Sequence, residues 1–281
     1  PSPPPPPNPP AVTACSDFYQ FSNDSWLKAH PAPANGSISA LGLLAQRSRE
    51  QQRQLLDAAA KAPANDVQKL LGDFWASGLN EAAVEADGAK PIAPLLARID
   101  AIKKKGDIAP AIAALHQVGI PVAFDFTADL DLQNVDRYTG YFAMGGLGLP
   151  DAAFYTRSDA DARALLGRYN GYVRRILALT GTPESRINTD AAAVIELETR
   201  IARAARPAEQ MATPQARYAP VATKDLAKKF RYLRLDAFLK AQGVSADQVS
   251  MADPALFAQI ERLAGTQKTT QWQAYLRFHV G

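Results

Sequence analysis

Apolar side chains recur at intervals of three and four residues through most of the 281-residue chain, and this spacing predicts a mainly helical protein. Serine, asparagine and aspartate stand where several predicted helices begin, and glycine or proline stands beside several of their ends. A polar stretch at 46–54 predicts a solvated or partner-facing surface on the second helix. The predicted helices cover residues 17–28, 37–61, 66–75, 92–102, 108–118, 159–180, 183–206, 233–241, 254–263 and 269–278.

One stretch departs from the helical pattern. Val122, Phe124 and Phe126 alternate with other residues, which is typical of a strand, and residues 137–144 follow after an acidic segment. The two segments predict a single small β-hairpin that joins two helical halves. Residues 211–222, which prolines interrupt, predict a loop.

We predict that the first 14 residues form a linker. Eight of the first ten are prolines, and such a tract cannot pack into a hydrophobic core. Residues 15–281 predict one helical domain. A linker of this type after a removed export signal would place the protein outside the cytoplasm, in a periplasm or the extracellular space. The linker could then act as an upstream tether to a membrane.

The amino-acid composition bears on which partners and cross-links the chain can have. With 47% hydrophobic residues the chain can bury a large core, and its net charge of +3 is too weak to imply a nucleic-acid partner. The sequence contains no apolar run of membrane-spanning length. Cys15 is the only cysteine, so no disulfide can form within the chain.

The common hydrolytic motifs are absent from the sequence. Zinc hydrolysis on a helix uses two histidines one turn apart with a glutamate, whereas His30, His116 and His279 are widely separated. There is no G-x-S-x-G serine motif, and Cys15 has no basic neighbour to activate its thiol. We therefore expect no catalytic residue and no metal ligand in this chain.

Three segments resemble known ligand-binding motifs, but each has a simpler structural interpretation. The glycines of 145–148 lack the spacing of a dinucleotide or phosphate loop and predict a turn after a strand. The acidic segment 129–134 lacks the glycine and glutamate of a calcium loop and predicts a solvated turn. Residues 224–234 mix basic and aromatic side chains, and they predict a solvated helix face over buried Phe230 and Tyr232.

Several stretches, in the same order, resemble the N-terminal region of the neprilysin-like zinc endopeptidases, the family of neprilysin, endothelin-converting enzyme and bacterial homologues. The most specific is the opening, Asp-Phe-Tyr-Gln-Phe at 17–21. Gly-Leu-Gly-Leu-Pro at 146–150 and Trp-x-x-Tyr-Leu-Arg-Phe-His at 272–279 follow the family pattern. At 24–25, Asp-Ser replaces the family's Asn-Gly or Cys-Gly. The matching segments are 17–21, 26–28, 30–33, 71–74, 94–96, 146–150 with 154–155, and 272–279.

The resemblance implies a two-lobed metallopeptidase in which this chain is a multi-helix lobe that restricts access to small peptides. Zinc, and the motifs that bind it, would belong to a C-terminal catalytic lobe. In neprilysin, arginines on and just before the first long helix hold the substrate's C-terminal carboxylate. Alignment from His30 places Ile38 and Gln46 at those positions, with Arg47 one step away. Gln46 and Arg47 are therefore the candidate substrate-binding residues.

The leading hypothesis is the N-terminal substrate-enclosing lobe of an exported zinc metalloendopeptidase, itself inactive in isolation. The alternative is a non-catalytic binding or scaffolding domain derived from that lobe. A third hypothesis, nucleic-acid binding through Lys103–Lys105 and residues 224–234, predicts an affinity that depends steeply on salt.

Overall fold

A computed structural model describes residues 12–34 and 36–281, and the proline-rich segment lies outside the described residues up to residue 11. The chain divides into two compact units, Pro1–Ala86 and Asp87–Gly281. The α-helices of the described residues are α1 Phe18–Ala29, α2 Ala40–Lys61, α3 Asp66–Leu79, α4 Glu81–Asp87, α5 Ala93–Asp100, α6 Ile108–Gln117, α7 Ala153–Thr156, α8 Ala160–Leu179, α9 Glu184–Ala204, α10 Leu226–Lys229, α11 Leu235–Ala241, α12 Pro254–Thr266 and α13 Thr269–Val280. The strands are β1 Asp125–Asp131, β2 Asn134–Ala143, β3 Pro220–Ala222 and β4 Gln248–Met251.

The predicted mainly helical fold with a small β-hairpin is confirmed. The long helices begin and end close to the predicted bounds because their caps lie in the sequence itself: Asp17, Asn65 and Asp159 each accept a backbone N–H at a helix start. One predicted helix start, at residue 37, is wrong. Ser39, not Ser37, accepts the N–H of Gly42 and begins α2.

The first unit is built around the contact between α2 and α3. Gly72 allows the two helices to approach closely, since a Cβ at this position would lie 2.5 Å from the carbonyl oxygen of Ala59. Trp75 Nε1 donates to Asp57 Oδ1 at 2.8 Å across the same interface. Ala59 and Gly72 are the only fully buried residues of this unit in the described part of the chain.

The second unit holds a four-stranded sheet in the order β1-β2-β4-β3. β1 and β2 form the antiparallel hairpin, while β4 pairs parallel to β2 and antiparallel to β3. Phe238 of α11 and Phe257 of α12 pack against Phe142 of β2. The core beside the sheet is a cluster of aromatic rings with centroids 5.0–5.9 Å apart, formed by Phe124, Phe142, Phe238 and Phe257.

Helix α13 is the central element of the second unit. Its residues Trp272, Tyr275 and Leu276 are fully buried in the core beside the sheet, and Phe278 packs into a second core with α8 and α9. Half of its residues are apolar or aromatic and they enter both cores, so other elements surround the helix. α13 packs against α5, α8 and α9.

The structure corrects the predicted hairpin in two places. β1 begins at Asp125 rather than at Val122, because Ala123 has a left-handed backbone conformation (φ 66°) that interrupts the strand. The acidic segment 129–134 does contain an exposed turn, at 132–133, but the residues on either side of that turn belong to the two strands of the hairpin. Asp131 ends β1 and is fully buried, since Arg137 and Tyr218 lie against it.

Two further expectations are wrong, both about residues between α9 and α12. The predicted loop at 211–222 contains a 3-10 turn at Gln215–Arg217 and strand β3, and β4 follows further along the chain. Tyr232, predicted to be buried, is 46% exposed, whereas Phe230 is buried as expected. Among the described residues, no helix combines the length and apolar character that crossing a bilayer requires.

Candidate functional site

The candidate substrate-binding residues lie side by side on α2, in the first unit. Gln46 and Arg47 are both exposed, and neither side chain makes a hydrogen bond or ion pair with another described residue. Ile38 lies two residues before the helix and is half-buried. Arg47 thus presents a free guanidinium, a group that binds carboxylates through two parallel hydrogen bonds.

The same unit exposes an unusual amount of apolar surface. Leu41 is 79% exposed, Phe74 78% and Leu70 71%. Large exposed apolar surfaces mark sites of contact with other protein. We call these side chains of the first unit the apolar surface; its members are Phe18, Tyr19, Phe21, Leu41, Leu44, Leu55, Val67, Leu70, Leu71, Phe74, Leu79 and Val84.

The three histidines occupy separate structural positions. His30 Nδ1 lies 3.0 Å from the carbonyl oxygen of Trp26, with its ring stacked on that tryptophan. His116 Nε2 contacts the backbone of Val122, and burial lowers the pKa of its imidazole. Within residues 12–34 and 36–281, no three histidine, cysteine or carboxylate residues are grouped so that they could hold a metal.

The most organised polar site lies in the second unit around Glu198 of α9, which is fully buried. Tyr169 Oη donates to its carboxylate at 2.8 Å, Tyr155 Oη at 3.0 Å, and the backbone N–H of Gly148 at 3.1 Å. His279 Nε2 lies 3.0 Å from the carboxylate, without the alignment of a hydrogen bond. We call these residues the Glu198 cluster.

The glycine segment is held against this cluster. The Gly146 backbone has φ 68°, and a Cβ there would lie 2.2 Å from both Ala123 N and Tyr275 Oη. A Cβ at Gly148 would lie 1.9 Å from Tyr169 Oη. These glycines are required because tyrosine side chains contact the backbone directly. The N–H of Gly148 is already donated to Glu198, so the segment is not a phosphate loop.

The electrostatics of the cluster favour neutral tyrosines. Burial, together with the charge of Glu198, raises the pKa of Tyr155, Tyr169 and Tyr275 well above the ordinary value of 10.0. The hydroxyls therefore remain donors at physiological pH. Tyr275 Oη donates to the carbonyl oxygen of Gly146 and accepts the N–H of Ala123, both at 2.7 Å. The arrangement fixes the glycine segment, α9 and α13 together, and it leaves no carboxylate free for catalysis.

A polar cleft of about 210 Å³ lies between α5, the α8–α9 turn and α13. Its two arginines are already paired, Arg186 with Asp190 at 2.9 Å and Arg277 with Asp100. The four charges balance, so the cleft offers no net charge to a ligand.

Sequence reasoning missed Glu198, although two of the segments it singled out, 146–150 and 272–279, meet there. The glutamate itself has no distinguishing feature in the sequence, because an isolated glutamate in an amphipathic helix is normally exposed. The signal that could have found it is the pair of tyrosines in the apolar positions of α7 and α8. A buried tyrosine hydroxyl requires a hydrogen-bond partner.

Comparison with known proteins shows which family this chain belongs to. Residues 14–281 match the N-terminal domain model of peptidase family M13. The chain is 28% identical over 233 residues to neprilysin-3 of Drosophila melanogaster, covering 79% of this chain and 30% of that relative. It is 26% identical over 208 residues to human endothelin-converting enzyme-like 1, covering 68% of this chain and 26% of that relative.

A solved structure shares the fold over nearly the whole chain. The crystal structure of the Mycobacterium tuberculosis zinc metalloprotease Zmp1 in complex with an inhibitor superimposes with a TM-score of 0.83 at 26% identity. The superposition covers 96% of this chain and 42% of that one. The chain thus spans less than half the length of the relatives it matches.

Proposed function

Because the chain belongs to peptidase family M13, we propose that it is the N-terminal, substrate-enclosing lobe of a zinc metalloendopeptidase that cleaves small peptides. The observation that carries this proposal is the match of residues 14–281 to the family's N-terminal domain model. The proposal assigns the zinc ligands and the general base to the part of the protein that corresponds to the remaining length of the relatives. This chain contributes walls of the substrate cavity and no catalytic group.

The apolar surface of the first unit supports the assignment to a larger protein. Twelve large apolar side chains in α1–α4 are exposed, and each costs about 1.5–3 kcal/mol relative to full burial. A folded protein rarely leaves such a surface in water. We propose that the catalytic part of the same protein covers it.

For substrates, we propose that Arg47 contacts the C-terminal carboxylate of a bound peptide, with Gln46 beside it. The free guanidinium of Arg47 has the geometry for this contact. The intact protein should then cleave a peptide with a free C-terminus faster than its C-terminal amide. Arg47→Ala should abolish that preference by raising KM for the free acid about tenfold. Arg49→Ala, also exposed and unpaired on α2, is the matched control and should keep the preference.

The proposed activity is tested with the intact protein and a fluorescence-quenched peptide. Hydrolysis should occur, stop when a chelator removes the metal, and return when zinc is added back. The residues 1–281 expressed alone should show none. Absence of hydrolysis by the intact protein across a peptide library would favour the alternative, a non-catalytic binding or scaffolding domain derived from the lobe.

The enclosing role has a separate test, which is a series of substrates of increasing size. The same cleavable sequence is placed in short peptides, in longer peptides and in a folded protein loop. An enclosing lobe predicts that kcat/KM falls steeply with size, because large substrates cannot enter. Equal cleavage of the folded protein would contradict the enclosing role without affecting the assignment to zinc peptidases.

We also propose that the parent protein is exported and acts in a periplasm or outside the cell. The proline-rich start supports this, since such linkers separate a folded domain from an upstream anchor. Fractionation of the source cells is the test, and recovery in the cytoplasm would contradict it.

A further inference from the structure

Two basic segments that are far apart in the sequence meet on the surface of the second unit. Lys105 Nζ donates to the carbonyl oxygen of Gly265, at the end of α12. The ring of Tyr232 also lies against Gly265, since two of its carbons would be 2.6–2.7 Å from a Cβ at that glycine. The fold therefore places the 103–105 lysines beside the 228–234 segment. We call these two segments together the basic face; their cations are Lys103, Lys104, Lys105, Lys228, Lys229, Arg231 and Arg234.

The cations of the basic face are all exposed. None of the seven forms an ion pair with another described residue. Two carboxylates beside these segments accept backbone N–H groups: Asp107 accepts the N–H of Lys103 and Lys104 and also interacts electrostatically with Lys104, and Glu261 accepts the N–H of Tyr232 and Leu233.

The segment that carries these charges is fixed to the core. Phe230 and Leu233 are buried on either side of the exposed Tyr232, and the two Glu261 contacts hold the turn between them at 2.9 and 2.8 Å. The side chains thus project from a rigid backbone. A rigid array loses little conformational entropy when it binds a partner.

We propose that the basic face binds the surface of a membrane that contains anionic phospholipids. Closely spaced lysines and arginines are attracted to such a surface, and an amphipathic tyrosine among them suits the interfacial region. A single-stranded nucleic acid would require successive exposed aromatic rings as a stacking platform. The basic face has only Tyr232, and Gly265 covers one side of its ring.

The test is sedimentation of the intact protein with vesicles of phosphatidylcholine alone or with about one-third phosphatidylglycerol at physiological salt. Binding should require the anionic lipid. The triple variant Lys228→Gln/Lys229→Gln/Arg231→Gln should lower the partition coefficient roughly 100-fold, because each cation near an anionic surface is worth about fivefold. These side chains are exposed and unpaired, so an unchanged thermal transition should confirm folding.

The matched control is Arg168→Gln/Arg174→Gln/Arg175→Gln on α8, which removes the same charge from three exposed, unpaired arginines. It should leave vesicle binding within about twofold of the unsubstituted protein. Equal losses in the two triple variants would overturn the proposal, because net charge alone would then explain binding. Failure to bind anionic vesicles would also overturn it. So would binding of a single-stranded oligonucleotide, lost in the basic-face variant, without vesicle binding.

Discussion

The buried carboxylate of Glu198 satisfies several buried hydrogen-bond donors of the second unit. It accepts hydrogen bonds from two tyrosine hydroxyls and one backbone amide, and it lies beside His279. Removing the carboxylate leaves those donors buried without an acceptor. Unsatisfied buried groups cost more than the hydrogen bonds contribute when they are made.

We therefore predict that Glu198→Ala lowers the free energy of unfolding by about 3 kcal/mol, measured by urea titration. Glu196→Ala on the same helix is the control, since Glu196 is half-exposed and pairs only with Arg200. That control should change stability by less than about 1 kcal/mol. Similar values for the two variants would show that the Glu198 cluster does not organise the second unit.

A substitution at Gly146 tests whether its backbone lies as close to Ala123 and Tyr275 as the structure shows. Gly146→Ala should destabilise the protein by more than about 3 kcal/mol, because its Cβ would overlap Ala123 N and Tyr275 Oη at a left-handed backbone position. Gly181 has φ 86° with open space around it, so Gly181→Ala carries only the backbone cost, about 1 kcal/mol. Equal urea midpoints for the two variants would contradict the overlap.

Asp131 predicts a specific dependence of stability on pH. Hydrogen bonds from Tyr218, the Gln133 N–H and Arg137 hold the pKa of this carboxyl below its ordinary value of 3.8. The unfolded chain therefore binds this proton at a higher pH than the folded protein does. The contribution to stability is present above pH 3.8 and is lost as pH falls through the lower folded pKa.

Asp131→Asn should thus be less stable than the unsubstituted protein at pH 7, and the gap should narrow as the pH is lowered below about 4. Urea unfolding across that range measures it. Asp136→Asn, an exposed position of the same hairpin, should show no such narrowing. A gap for Asp131→Asn that stays constant with pH would disprove the assignment.

At the scale of elements, the exposed edge of the sheet is protected by aspartates. β1 is an edge strand of the described sheet, and the N–H groups of Phe126 and Leu130 are bonded by the side chains of Asp125 and Asp129 at 2.8 and 2.7 Å. Unpaired N–H groups on an edge strand recruit strands of other molecules. The two carboxylates accept hydrogen bonds from those N–H groups, so the groups cannot pair with another strand. Their negative charges also repel the same edge of a second copy of the chain.

Asp125→Ala/Asp129→Ala should therefore self-associate at concentrations where the unsubstituted protein does not, as measured by sedimentation velocity. Asp136→Ala/Asp161→Ala removes the same charge from two exposed positions away from that edge and serves as the control. If both double variants associate to the same extent, loss of charge rather than edge pairing is the cause.

The helices of this chain could be predicted from its sequence, whereas two of its strands could not. Helices α2, α8 and α9 were predictable because their apolar period and their caps are local properties. Strands β3 and β4 were not, since they span three and four residues and are stabilised by pairing with distant segments. Asp131 was mistaken for part of a solvated turn for the same reason, because Tyr218, which buries it, is 87 residues away.

At the scale of the whole molecule, the sequence resemblance identified the family, and the fold supports it with a TM-score of 0.83 to a zinc metalloprotease. The candidate substrate residues followed from alignment alone. The Glu198 cluster required the structure, because its members come from the glycine segment, α7, α8, α9 and α13. The basic face likewise emerges only when the segments around Lys105 and Tyr232 are brought together.

We propose that this chain is part of a zinc peptidase and supplies none of its zinc ligands. The most direct measurement is the zinc content of the intact protein and of residues 1–281 alone, each purified without added metal and assayed by mass spectrometry. We predict about one zinc ion per intact molecule, as in catalytic sites with protein ligands and an open position, and none in the isolated chain. Stoichiometric zinc in the isolated chain, or an intact protein that binds no zinc, would contradict the claim.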